Sequence, residues 1–219
     1  GSILTLLADI RDRFGFDDAA VGLVTGCVGH ARRYPRRRPC QAGGMANVVT
    51  VTLNPTVDKS INVDQVVPER KLRGDRPVFE PGGGGLNVAR VLNELGVAAT
   101  AHWTLGGYTG ARLENLLDAM GLDHQPLVIG GETREHLMVF ERATGQQFRF
   151  GTPGPVVTGS ELEALAERIA ALPADTPYLV LSGSLPEGVP EDTYARLARA
   201  APAGCRVVLD TSGTALRCG

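Results

Sequence analysis

Over residues 48–53 the run VVTVTL is almost continuously apolar or β-branched, which predicts a strand covered on both faces. Leu86, Ala89, Leu92 and Leu95 then recur at the spacing of a helix with one buried stripe. A second strand is expected over 100–105. A second helix is expected over 111–120, with Leu113, Leu116, Leu117 and Met120 inward and Gly121 where a C-terminal cap belongs. A third is predicted from Ser160, opened by a capping box of Ser160 and Glu163. It would bury Leu162, Leu165, Ala166, Ile169 and Leu172 and stop at Pro173. The segments YLVLS (178–182) and RVVLD (206–210) read as two buried parallel strands, separated by a helix beginning near Pro190. This alternation predicts an α/β fold with a βαβ core and a mainly parallel sheet.

Two stretches break the rhythm. Within about 60–80 and 136–150, short β-like runs (SINVDQV, PVFE, HLMVFE, QQFRF) predict a separate small antiparallel sheet with exposed apolar positions such as Ile61, Val63, Phe148 and Phe150. Set into a βαβ core, such a sheet is either a lid over a pocket or a dimerisation surface. Residues 1–44 differ again: a possible short helix near 3–14 is followed by an Arg, Pro, Gly and Cys mixture ending in Gly43 and Gly44. We expect the domain proper to begin at Met45 and residues 1–44 to be a leader or extension.

Composition narrows the classes. With 219 residues, 43% hydrophobic and a formal charge of −2, the chain can bury a substantial core. The near-neutral balance argues against a nucleic-acid-binding protein, and the basic cluster of Arg32, Arg33, Arg36, Arg37 and Arg38 reads as a solvated linker. No apolar run is long enough to span a membrane, and charges at Asp9, Arg11, Asp12 and Arg13 interrupt any signal-like region, so a cytoplasmic location is expected. Cys27, Cys40, Cys205 and Cys218 are scattered, indicating free thiols rather than a zinc site or disulfide framework.

The richest chemistry lies in VFEPGGGGLNVARVLNELG, residues 78–96. Four consecutive glycines, Gly82 to Gly85, at a strand-to-helix junction admit left-handed backbone and close ligand approach at a helix N-terminus; the alternative is a flexible hinge with no ligand. A dinucleotide-binding reading is disfavoured, because no acidic residue ends a second strand about twenty residues on. His30, His102, His124, His136 and Trp103 match no motif position and read as ordinary surface or core residues.

The string PGGGGLNVAR, preceded by TLNPTVDKS and followed by LSGSLPEG and VVLDTSG, is similar to the ribokinase-like PfkB carbohydrate kinases in order and spacing. FEPGGGG and the upstream KLR look most like its ATP-dependent 6-phosphofructokinase branch, with 1-phosphofructokinases and tagatose-6-phosphate kinases as near neighbours. The resemblance implies a ribokinase-like core with a β lid, and phosphorylation of a ketohexose phosphate by ATP with Mg2+. It implies that Asp58, at the end of the first strand, accepts hydrogen bonds from sugar hydroxyls, and that Gly83, Gly84 and Asn87 meet the sugar. It makes Lys71, Arg73 and Arg134 candidates for the substrate's phosphate. Ser184 falls just past a strand's C-terminal end, where open α/β sheets place ligands. Asp210 receives no definite role.

The family's catalytic aspartate is expected in a GAGD motif, which this sequence does not contain. The resemblance therefore implies that the base lies beyond Gly219, that the C-terminal part of the fold is absent, and that this chain is inactive. The competing expectation is a catalytically dead sugar-phosphate-binding or interaction module. The implied partners are a sugar phosphate and a second copy, joined as a homodimer through the lid. The division at Met45 is checked by limited proteolysis: the first cuts are expected within residues 1–44, with 48–210 protected.

Overall fold

The computed structural model describes residues 48–218. The expected leader, its possible helix, the start at Met45, the arginine cluster, His30, Cys27 and Cys40 lie outside the described residues. Cys205 and Cys218 are free thiols.

Strand β1 (Val48–Thr52) is buried along its whole length. It lies at the centre of a five-stranded parallel sheet in the order β5-β4-β1-β8-β9, with β4 at Ala99–Leu105, β5 at Asp123–Val128, β8 at Tyr178–Ser182 and β9 at Arg206–Asp210. Because side chains alternate between faces, a strand sandwiched by helices must bury every position, and VVTVT does so with β-branched residues throughout, Thr50 and Thr52 buried on the same face as Val48. Val48, Ala101, Trp103 and Val180 pack on Leu86, Leu92, Leu113 and Leu117 of helices α1 (Gly84–Glu94) and α2 (Gly107–Met120). On the opposite face Val49, Val51, Leu179 and Leu181 meet Leu165, Ile169, Tyr194 and Leu197 of α3 (Gly159–Ala170) and α4 (Thr193–Ala200). A short α5 (Gly213–Cys218) follows β9.

The second sheet corrects the expectation of an antiparallel lid. Its order is β3-β2-β6-β7, from β2 (Thr56–Val63), β3 (Val78–Gly82), β6 (Arg134–Glu141) and β7 (Gln147–Gly151). The outer pairs are antiparallel, but the central pair β2–β6 is parallel, with Thr56 opposite Arg134. Parallel partners need a long crossover, and here β3, two helices and the first-sheet strands β4 and β5 supply it. Asp58 consequently belongs to β2 of this lid rather than to the end of the first strand. Of the apolar positions expected to be exposed, Val63 is buried, Ile61 and Phe148 are half-buried, and Phe150 is exposed. The lid is tied to the core where the Arg112 guanidinium of α2 lies 3.5 Å from the Phe79 ring centroid, with Lys59 over the same ring at 5.7 Å.

Smaller corrections have local causes. Strand β9 is half-exposed rather than buried, because it forms an edge of the five-stranded sheet. The unanticipated β5 contains Pro126, tolerated because β5 is the other edge. Helix α2 begins at Gly107, earlier than expected, since the Glu132 carboxylate accepts from the Thr109 N–H at 2.7 Å and caps it from a distant loop; Met120, expected inward, is 40% exposed. Helix α4 begins at Thr193 rather than near Pro190. The capping box of α3 is Thr158 with Glu161, not Ser160 with Glu163. Both spacings are present, and the earlier one prevails where Glu161 also accepts from the Gly130 N–H at 2.8 Å. Thr158→Ala is therefore expected to cost about 1 kcal/mol of stability, and Ser160→Ala about 0.5 kcal/mol or less, measured by urea unfolding.

Candidate functional site

Strand β3 brings the chain to a turn pressed into the C-terminal ends of the central strands. Gly83, the residue before α1, has φ 123° and no side-chain cap. A Cβ on Gly84 would stand 2.7 Å from the Gly183 nitrogen and run into the Ser182 hydroxyl. One on Gly85 would come within 2.6 Å of Thr52 Oγ1, and one on Gly82 would strike the Asp58 carboxylate. These glycines are wedged against β1, β2 and β8, which excludes the flexible-hinge reading. Thr52 Oγ1 accepts from the Leu86 N–H at 2.9 Å, clamping the start of α1 onto β1.

Directly beyond β1, Asn54 is buried and its amide donates to Ser184 Oγ at 3.1 Å. This bond spans the crevice between β1 and β8. The chain runs from β1 toward β4 on one side and reaches β8 on the other, so the crevice is the switch point at which open α/β sheets hold ligands. Asp210 orders the same loop: its Oδ2 accepts from Ser182 Oγ at 2.8 Å and its carbonyl from the Gly183 N–H at 3.0 Å. The Tyr194 hydroxyl donates to the Gly183 carbonyl at 3.0 Å, and burial holds that phenol protonated by raising its pKa.

The lid supplies the remaining side chains. Thr133 exchanges two 3.0 Å bonds with Gly106 at the start of α2, its N–H to the carbonyl and its hydroxyl accepting from the Gly106 N–H. That anchor directs Arg134 back to the crevice, where Nη2 donates to the Asn54 carbonyl at 3.0 Å. Asp58 and His136 face each other across β2 and β6, with His136 Nδ1 3.5 Å from Asp58 Oδ1. Three polar atoms here are buried without a hydrogen-bond partner: Asn54 Oδ1, Asp58 Oδ1 and Arg134 Nε. Each carries a desolvation penalty of about 1–3 kcal/mol until something meets it. Burial raises the Asp58 pKa, with Glu80 adding to the rise, although Arg134 opposes it; burial likewise lowers the Arg134 guanidinium while Asp58 opposes that.

Asp58, Gly83, Gly84, Arg134 and Ser184 thus converge on one crevice, and Asn87 is half-buried in the first turn of α1 beside it. Lys71 and Arg73 are exposed, on the loop over 64–77. That loop is anchored where the Asp75 N–H donates to the Asn62 carbonyl at 3.0 Å. Asn62 lies about 13 Å along β2 from Asp58. Sequence reasoning missed Asn54, Thr52 and His136. Asn54 and Thr52 sit inside the string TLNPTVDKS, where polar residues flank the end of a buried strand; His136 carries no such signal, because only the parallel register sets it beside Asp58.

The model of the pfkB family of carbohydrate kinases matches residues 49–218. The ATP-dependent 6-phosphofructokinase isozyme 2 of Mycobacterium tuberculosis is 40% identical over 179 residues, covering 80% of this chain and 52% of that protein. The isozyme of the same name from Escherichia coli is 40% identical over 173 residues, covering 78% and 56%. A crystal structure of phosphofructokinase-2 from Escherichia coli in complex with fructose-6-phosphate superposes with a TM-score of 0.74 at 40% identity, covering 80% of this chain and 57% of that one. The chain spans about half the length of the curated relatives it matches.

The raised Asp58 pKa has a stability consequence. A group whose pKa is higher folded than unfolded penalises the fold fully above its folded value, and the penalty vanishes as pH falls below the ordinary aspartate range. Asp58→Asn is expected to raise Tm at pH 7 and to lose that advantage toward pH 3, as followed by thermal unfolding across pH.

Proposed function

Given that the chain belongs to the pfkB family of carbohydrate kinases, we propose that it forms the sugar-side part of a kinase transferring a phosphoryl group from ATP to a ketohexose phosphate, with fructose 6-phosphate as the acceptor. The observation that carries this reading is the set of unmatched buried atoms on Asn54, Asp58 and Arg134 around one crevice. An ionised carboxylate only accepts, a guanidinium only donates and an amide oxygen accepts, so together they suit a ligand offering hydroxyls and an anion. The Escherichia coli structure named for its fructose-6-phosphate complex supports the choice of sugar.

In this reading the sugar hydroxyls donate to Asp58, whose carboxylate turns readily about its last torsion. Gly83 and Gly84 let the sugar approach the backbone, and Asn87 offers both a donor and an acceptor from α1. Arg134 meets the phosphate through its free Nε–H and the remaining N–H donors along the edge of its guanidinium. Ser184, held by Asn54, bounds the far wall. Lys71 and Arg73 remain candidate phosphate contacts, carried on a loop anchored at Asn62, further along β2 than Asp58. A homodimer joined through the lid and a cytoplasmic location belong to the same proposal. No helix among the described residues is long and apolar enough to cross a membrane.

ATP supplies the transferring phosphoryl group, with Mg2+ offsetting its charge. Among the described residues no group of three or more His, Cys, Asp or Glu side chains could hold a metal ion. The sequence contains no GAGD motif to supply the base. We accordingly expect the 219-residue chain to bind the sugar phosphate without turnover, since loss of a general base alone lowers rates by about 10²–10⁴-fold.

Calorimetric titration tests the binding half, with fructose 1-phosphate and tagatose 6-phosphate distinguishing the related specificities. Arg134→Ala should weaken fructose 6-phosphate by about 10- to 100-fold and fructose far less, because the lost bond is charge-assisted. Equal losses for the two sugars would count against phosphate recognition. A coupled ADP-release assay tests the other half, and turnover above about 1 s⁻¹ would show that this chain holds its own base.

A further inference from the structure

The lid places four residues in one cross-strand row: Glu80 on β3, Asp58 on β2, His136 on β6 and Gly151 on β7. All four lie on the same face, since each stands directly opposite its neighbour. His136 is half-buried and its Nδ1 is 3.5 Å from Asp58 Oδ1, within ion-pair reach, yet no hydrogen bond joins them. Asp58 Oδ1 is sealed from water without a partner. On the other side of the ring, a Cβ on Gly151 would stand 3.4 Å from Nε2, so the imidazole backs onto bare glycine backbone with room to shift.

Resting on the sugar-phosphate reading above, we propose that His136 is a proton-controlled cover on Asp58, competing with the sugar hydroxyl for Oδ1 so that its protonation weakens sugar binding. A neutral imidazole at this distance has no strong hold on the carboxylate and yields to a hydroxyl, which donates to Oδ1 in its place. A protonated imidazole forms a charge-assisted pair with the same oxygen and keeps the acceptor occupied. A half-buried pair is screened less than one on the open surface.

The surrounding charges set where this happens. Burial of the ring and, after it, Arg134, two residues earlier on the same face of β6, both disfavour the imidazolium and hold the His136 pKa below its ordinary value. Asp58 faces the ring from β2, with Glu80 beyond it on β3 and Arg90 on α1 acting on Asp58. Arg149 of β7 stands opposite Met138, one same-face step along the lid, and donates to Gln147. Asp58 has its own acid limb, because protonating it removes the acceptor outright. His136→Asn leaves that limb in place and removes only the imidazole, so the difference between the two proteins isolates His136.

The test uses the 219-residue chain, calorimetric titration of fructose 6-phosphate from pH 8 to pH 5.5, and NMR of carbon-13-labelled histidine, with the His136 signal identified as the one of four lost in His136→Asn. In wild type Kd should rise about three- to fivefold by pH 5.5, the part of a tenfold full effect that a histidine with a lowered pKa expresses there, and in His136→Asn by much less. By linkage, a tenfold weakening on protonation must appear as a fall of about one unit in the His136 pKa when the sugar phosphate saturates the site. A phosphate placed beside the ring would instead raise it. Identical pH profiles in the two proteins, or a His136 pKa that rises or stays fixed on binding, overturn the cover while the sugar-phosphate reading stands. Asp58→Asn guards against a misfolded variant: it should lower the His136 pKa in the unliganded protein, and no change overturns the coupling. Absence of fructose 6-phosphate binding to wild type at pH 8 overturns the substrate reading and the cover with it.

Discussion

The approach of a side-chain-free turn to three strand ends sets the geometry of the whole site. Gly82, Gly84 and Gly85 bring the backbone against Asp58, Ser182 and Thr52, at separations where even a methyl group would collide. That closeness sets the entry of α1, which Thr52 then holds through the Leu86 N–H. It also joins the two sheets, because β3 of the lid runs directly into the turn that packs on the core. Any side chain there would lever lid and core apart. The lid is held a second time by Thr133 on Gly106 and by Arg112 against Phe79.

Within that frame the crevice is built against its own stability. Three buried polar atoms lack partners, and the Asp58 carboxylate is held in an environment that favours its neutral form. A well-packed apolar arrangement would be more stable. Retaining acceptors and a donor with nothing to bind, beside a rigid glycine turn, is the pattern of a site whose interactions are completed by a ligand. Asp210 and Tyr194 show the contrasting solution: their polar groups near the same strand ends are matched within the chain, and they act as scaffolding for the Ser182 to Ser184 loop.

Much of the core was legible in the sequence because one local property determines each element. VVTVT can only be a strand covered on both faces, and the stripe through Leu86, Ala89 and Leu92 can only be one side of a helix. The features that were not legible depend on partners distant in the chain. Glu132 extends α2 toward its N-terminus from a loop more than twenty residues away, and Gly130 selects one of two overlapping capping boxes. Strand β5 hid behind Pro126, acceptable only at an edge that the strand order reveals. The site divided in the same way: Asp58, Gly83, Gly84 and Arg134 carry motif signals. His136 becomes meaningful only once β2 and β6 are known to run parallel, and the long loop of Lys71 and Arg73 is placed only by its anchor at Asn62.

That parallel pairing bears on the order in which the molecule can assemble. Thr56 and Arg134 are neighbours in space, yet β3, α1, β4, α2 and β5 intervene along the chain. Closing so long a loop is entropically unfavourable until the intervening elements have collapsed, so the centre of the lid cannot arise as a local hairpin. Asp58 and the residues facing it from β6 are therefore brought together only late, after the crossover through the first sheet is in place. A partly folded chain can have its helices and its central strands and still have no crevice, which makes the pocket itself a record that folding of this region has finished.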